Sequence, residues 1–581
     1  MPAHYLRIAG ADAATSRAVR RSLAALRQEM QIPAEFPADV LADAERAAAR
    51  GPALAAPAPG REDLRDLRFL TIDPPGSMDL DQALALERVG GDGGVGGEGG
   101  AGAGFVVHYA IADVAAFVEP GGPVDAESHT RGTTLYGPDE RTPLHPAPLS
   151  EGAASLLPDV DRPAVVWRIV LDARGEIADD APDRPGVTVR RGVVRSVARL
   201  SYEEAQDALD GRAPSSGGPG SDAWPAGVRE TIALLREVGT LRQERERDRG
   251  GVSLDVPEQV AVTHDDGTTT LELRSTLPVE GWNAQISLLT GIAAARLMRS
   301  GGVGILRTLP PADPRDVARL HRTARALAID WPEDQPYGEL LRTLDSARPH
   351  HAAFLAEATS LFRGASYLAF GGTGLPAVAA LPAVSDDPGD RVVTRHAAIA
   401  AEYAHVTAPL RRLVDRYGTE ACLAACSGEP VPARALDGLA ALPKVMARTG
   451  QRAGSFERAC LDTVEAALVA GRVGEAFDGV VVDVDERPAR PAEPADPGGR
   501  PRRRGQVVVA HPALRAPVTG VALPLGEPVR VRLVEASIEQ RRIAFDLADG
   551  DAPFAEGDAA FAEGDVARPG HGSSTAEGGR A

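Results

Sequence analysis

Lysine is nearly absent: Lys444 is the only one among 581 residues, so almost all positive charge is carried by arginine. Arginine forks suit two-point contacts with phosphate. GC-rich coding gives the same bias and also explains the surplus of alanine and glycine. The formal net charge of −19 argues against a general nucleic-acid coat while leaving room for a local basic channel. Cysteine is scarce too. Cys422, Cys426 and Cys460 are the only three, and their spacing matches neither zinc ligands nor a disulfide framework. Cys422 and Cys426 fall four apart in a helical pattern and read as core residues. No apolar run approaches the roughly 18 residues needed to span a bilayer. The first residues, MPAHYLRIAGADAATSRAVRR, lack the basic-then-apolar layout of a secretory signal. These absences predict a soluble cytoplasmic protein with no membrane partner. Aromatic residues are 4% of the chain, yet 43% is hydrophobic, enough for real cores. The length implies two or three folded units.

What is present divides the chain. Residues 12 to 50 read as two helices, AATSRAVRRSLAALRQEM and PADVLADAERAAARG, and the linker GPALAAPAPGRED follows. Residues 1–60 are therefore taken as a short helical N-terminal region. From 67 the pattern turns to strands: LRFLTID, DLDQALALE and GFVVHYAIADVAAFV, the last two separated by GGDGGVGGEGGAGAG, a low-complexity connection expected to be a flexible hairpin loop. Further strands are predicted between 163 and 200, then helices over about 201–250 and 280–470 with few strand signals. Residues 61–470 make the main unit. Short strands recur from EAFDGVVVDVDE to RRIAFDL, interrupted by RPARPAEPADPGGRPRRRG, and predict a small β-barrel over 471–548. The Gly/Ala/Asp-rich tail 549–581 is expected to be disordered. The fold class is α+β.

The chemistry concentrates in TIDPPGSMDLDQALALER, residues 71–88. Asp73 precedes Pro74, which holds it extended. Pro74 and Pro75 fix their own φ angles, and Gly76 permits the chain to reverse. Beyond the turn, period two places Asp79 and Asp81 on one strand face. Three carboxylates in a small volume repel one another and raise their own pKa values, which a divalent cation relieves. All-oxygen ligation favours Mg²⁺, with Mn²⁺ as the alternative. A surface turn with solvated acids is the competing reading. An EF-hand does not fit, because its fixed Gly and closing Glu are missing.

These residues resemble the active-site signature of the RNase II/RNase R (RNB-domain) exoribonucleases. The resemblance continues in order through IADVAAFVEPGGPVDAESHTRGTTLYGPD, PLSEGAASLLPDVDRPAVVWRIVLD, VVRSVARLSYEEAQDAL and YAHVTAPLRRLVDRY. It implies an RNB catalytic domain, a mixed β-sheet packed with helices, followed by an OB-type RNA-binding barrel. It further implies magnesium-dependent 3′→5′ hydrolysis of single-stranded RNA to nucleoside 5′-monophosphates by a protein expected to be monomeric. Asp81 matches the aspartate most closely tied to catalysis, and Asp73 matches a direct metal ligand, with Asp79 beside them. Arg411 matches an arginine that contacts phosphate near the cleavage site; an ion pair with Asp415 is the competing role. Arg412 and His405 belong to the same motif as candidate RNA contacts. Tyr136 matches a tyrosine that packs on the 3′-terminal nucleotide.

Three departures stand out. Only about 60 residues precede the catalytic strands here, too few for the two cold-shock OB domains of the best-known members. No aromatic near Val303 supplies the opposite side of a base clamp. Gln82 stands where the family pattern has a fourth aspartate. Its carbonyl can ligate Mg²⁺ but brings no charge, and on a regular strand it faces away from Asp81, so reaching the metal requires a twist or bulge. Either Gln82 serves as a neutral ligand in a working exonuclease, or the chain is a degenerate RNB-fold RNA-binding protein.

Overall fold

In the computed structural model the apolar runs expected as strands pair into one sheet. The structure describes residues 13–89, 104–178, 185–213, 224–254, 258–263, 269–274, 276–345, 348–382, 393–485, 502–509, 514–525 and 527–548. The glycine-rich loop up to residue 103, most of the Pro/Arg insertion and the tail from 549 lie outside these residues. Eight strands precede residue 201: β1 (Glu62–Asp63), β2 (Phe69–Ile72), β3 (Gln82–Val89), β4 (Gly104–Ala112), β5 (Leu135–Tyr136), β6 (Arg141–Thr142), β7 (Asp161–Leu171) and β8 (Val187–Leu200). Six form a sheet in the order β1-β8-β2-β3-β4-β7, and β7 also pairs with β8, so five strands close into a ring. β3 and β4 run antiparallel from Gln82 opposite Ile111 to Val89 opposite Gly104.

Both faces of this sheet are covered, which is why every residue of β4 is buried and its sequence is apolar without alternation. Leu84, Leu86, Val107, Tyr109 and Ile111 pack towards the helices Val228–Asp248 and Pro278–Gly301. Ala83, Ala85, Ala110 and Ala112 belong to a second cluster, which also holds Val40, Ala44 and Ala47 of the helix α2 (Ala38–Ala49). The preceding helix, α1 (Ala13–Glu29), belongs to a different cluster, where its Leu23 and Leu26 pack with Phe456 and Cys460 of the long helix Leu442–Val469. The two N-terminal helices are thus built into the molecule at separate places.

The predicted helical stretch beyond residue 280 also contains strands. Gly302, at φ +77°, ends the helix Pro278–Gly301, and Gly304–Thr308 then pairs antiparallel with Ser366–Phe370. A five-residue apolar run cannot be told from buried helix by periodicity. Cys422 is buried as expected, whereas Cys426 is exposed, because it lies in the last turn before Gly428 caps its helix. The five strands between Ala476 and Leu547 form a closed barrel. Their alternation reads directly: Val529, Val531 and Leu533 are buried, and Arg530, Arg532 and Val534 between them are exposed.

Candidate active site

Asp73 directly follows β2 and donates its N–H to the Leu200 carbonyl of β8 at 3.1 Å. The reversal then forms as the residues dictate. Ser77 N–H donates to the Pro74 carbonyl at 3.1 Å, and Gly76 takes φ +80°, the third-residue conformation of a type II turn with proline before it. Beyond the turn, the expected strand does not start at once. Residues 77–81 are irregular, and β3 begins only at Gln82. Leu80 donates its N–H to Ser155 Oγ (3.0 Å) and accepts from Leu156 N–H (3.0 Å), so its backbone bonds go to another loop instead of a ladder.

Asp79 and Asp81 are therefore placed by tertiary contacts, not by a shared pleat. Asp81 is 4% exposed. Its Oδ1 accepts Leu410 N–H at 2.7 Å, and its Oδ2 lies 3.3 Å from Arg411 Nε. Burial pushes its carboxyl up to about 8, Arg411 opposing and Asp79 adding. Asp73 is pushed up to about 7 for the same first reason, with Arg411 opposing and Asp79 again adding. Asp79 is thus close enough to act on both, while its own carboxylate pairs with Arg141, which also binds Glu151.

Among the described residues no three carboxylates or other His, Cys, Asp or Glu side chains stand together as a ready cation site. Asp73, Asp79 and Asp81, expected to converge, lie near enough for Asp79 to act on both others but do not form a ready ligand set. Guanidinium groups hold two of the three: Arg141 on Asp79 and Arg411 on Asp81. The donor chemistry still fits Mg²⁺, since it is all oxygen and a bound cation would favour the ionised form of two carboxyls that burial pushes up.

Gln82 heads β3 opposite Ile111, and its Oε1 accepts the hydroxyl of buried Tyr109. Tyr109 also feels the charge of Asp73, after burial the next cause of its raised pKa. Because residue 81 is not in the strand, the expectation that Gln82 must point away from Asp81 does not apply.

Arg411 and Arg412 divide their work. Arg412 caps the helix Leu413–Ser427 and grips fully buried Asp415 with two bonds, Nε–Oδ2 at 3.0 Å and Nη2–Oδ1 at 2.8 Å. The helix ion pair weighed for Arg411 is thus made by Arg412, which leaves Arg411 facing Asp81. The Arg411 backbone is fixed by Thr134 N–H (3.0 Å) and Thr133 Oγ1 (2.9 Å), both donating to its carbonyl. Burial works against the Arg411 charge, but Asp81, Asp415 and Asp73 hold it and its pKa is raised. Tyr136 ends β5, two residues beyond Thr134. His405 sits in an aromatic cluster: its Nδ1 is 2.7 Å from Tyr367 Oη, and Tyr403 meets it edge-on at 5.5 Å. Burial, with Arg412 and Arg307 adding, keeps this histidine neutral.

The RNB domain family model matches residues 61–421, and that of the RNase II-type exonuclease C-terminal S1 domain matches 475–548. The chain belongs to the RNB-domain family. Ribonuclease R of Escherichia coli (strain K12) is 26% identical over 443 residues, 73% of this chain and 49% of its own length. DIS3-like exonuclease 2 of Arabidopsis thaliana is 33% identical over 218 residues, 36% of this chain and 18% of its own. An inactive exonuclease of the same plant matches with the same figures. The chain spans between 18% and 49% of the length of these curated relatives. The RNB fold itself is shared with Mycoplasma genitalium RNase R, solved in complex with ribose methylated single-stranded RNA (TM-score 0.70, 17% identity, 91% of this chain and 78% of that one).

Within this RNB domain, sequence reasoning missed Arg141, Glu151 and Tyr109. Tyr109 and Glu151 gave no local signal. Arg141 did: Tyr136 and Arg141 flank Gly-Pro-Asp-Glu, a turn that sets them opposite each other across β5 and β6.

Proposed function

We propose that this chain is a magnesium-dependent 3′→5′ exoribonuclease that hydrolyses single-stranded RNA to nucleoside 5′-monophosphates. The observation that carries the reading is the meeting of Asp81 with Arg411 and Leu410 N–H, beside Asp73 and Asp79. Asp73, Asp79 and Asp81, with the Gln82 carbonyl, would hold Mg²⁺, which when bound supplies an acidified water and stabilises the departing oxygen. The protein's own groups do the rest. Arg411, fixed through its backbone, places a fork where a scissile phosphate would lie and opposes charge that grows on its oxygens. Tyr136 supplies one stacking face for the terminal base without reading its identity. Arg412 keeps the helix start and Asp415 in place and contributes to RNA through that positioning.

A second reading, a non-cleaving RNA-binding protein, is favoured by two contacts: Tyr109 occupies the Gln82 carbonyl and Arg141 neutralises Asp79. Product analysis separates the two. Single-stranded RNA incubated with the protein and Mg²⁺ should yield nucleoside 5′-monophosphates by mass spectrometry. RNA recovered intact in both Mg²⁺ and Mn²⁺, yet retained by the protein, supports the second reading.

A further inference from the structure

We propose that α1 is a positioning element for the Tyr136–Arg141 hairpin and that Arg27 is the residue through which it acts; this rests on Tyr136 and Arg411 contacting RNA. The strands β5 and β6 are two residues each, too short to hold a shape alone. Their turn is closed by Gly137 N–H donating to the Glu140 carbonyl at 3.0 Å. Tyr136 and Arg141 are direct partners across the ladder and so share a face. From it Arg141 binds Asp79, and Thr133 and Thr134, just before β5, hold the Arg411 carbonyl.

The tip of the same hairpin is held by α1. Arg27 donates Nη1 to Asp139 Oδ2 at 2.9 Å and Nη2 to Asp139 Oδ1 at 2.6 Å, and its Nε is 3.2 Å from Glu140 Oε1. The approach is tight: a Cβ on Gly137 would come within 2.8 Å of Arg27 Nη2. Arg27 is itself buried, its guanidinium 5.5 Å from the centre of the Phe456 ring. Leu135 of the hairpin shares a buried cluster with Leu23 and Leu26 of α1. A two-point fork fixes both distance and angle, so Arg27 sets where the turn sits, and the turn sets where Tyr136 and Arg141 point. α1 reaches the site through this relay. Its effect falls on how the RNA end is held.

The test measures anisotropy of a fluorescent single-stranded RNA on the full chain carrying Asp81→Asn, and kcat and KM in the chain with Asp81 restored. Arg27→Ala and Asp139→Asn should each weaken RNA binding and raise KM about tenfold, with kcat moving less than about twofold. The double variant should be no weaker than either single one, and Arg27→Lys should recover part of the loss. Should Arg27→Ala fail to fold, partly exposed Asp139 carries the test. A lower melting temperature with RNA held as tightly as by the parent overturns the proposal alone. A parent that holds no RNA at all overturns the functional reading first and the proposal with it.

Discussion

Asp81 and Arg411 stand 330 positions apart in the chain and meet with Arg411 Nε 3.3 Å from Asp81 Oδ2, while the neighbouring Leu410 N–H donates to Oδ1 at 2.7 Å. One carboxylate therefore ties the acidic turn to the arginine motif. Asp81→Asn keeps the oxygen that accepts Leu410 N–H but removes the charge. Cleavage should fall on the order of 10³-fold while RNA binding persists, as read by turnover and anisotropy on one preparation.

Arg411 and Arg412 should separate by phenotype. Removing Arg412 leaves buried Asp415 without its charged partner and with only the Ala408 N–H bond, at a cost of about 3–5 kcal/mol, visible as a lowered denaturation midpoint. Arg411→Ala should instead lose activity with a smaller fall in midpoint, since Arg411 makes one 3.3 Å contact with Asp81 where Arg412 makes two bonds to Asp415.

Gln82→Asp adds an anionic oxygen beside Asp73 and Asp81. The Mg²⁺ concentration for half-maximal activity should fall about tenfold, because ligand charge count tunes cation affinity. An unchanged Mg²⁺ requirement would place residue 82 outside the cation's reach.

The raised carboxyls make a pH prediction for the metal-free protein. Asp73 and Asp81 titrate near 7 and 8 when folded, well above an unfolded aspartate near 3.8. At these two groups the folded state holds more protons than the unfolded one, so their contribution to stability is lost as pH rises through about 7 and 8; below about 6.5 the buried neutral histidines His145, His396 and His405 act in the opposite direction. Melting temperatures in chelator should therefore fall as pH rises through about 7 and 8, and Mg²⁺ should flatten that fall by favouring the ionised carboxylates.

The parts of the site that local residues dictate were legible. Pro74, Pro75 and Gly76 specify a turn wherever they occur, and the alternation in VRVRLVE specifies a barrel strand. The irregular path of residues 77–81 was not legible, because it depends on Ser155 and Leu156 claiming the backbone of Leu80. Period two alone makes Asp79 and Asp81 strand neighbours. The same limit hid Tyr109 and Glu151, whose relevance comes only from contacts with Gln82 and with Arg141. It also hid the division between Arg411 and Arg412, adjacent residues whose side chains go to Asp81 and Asp415.

The central claim is that this chain shortens RNA from its 3′ end. A 5′-labelled single-stranded oligoribonucleotide, incubated with Mg²⁺ and resolved at single-nucleotide steps, tests it most directly. A ladder that descends from full length with time, absent in Asp81→Asn, is the expected result. Label released at once as a mononucleotide, or RNA left at full length in both Mg²⁺ and Mn²⁺, would contradict it.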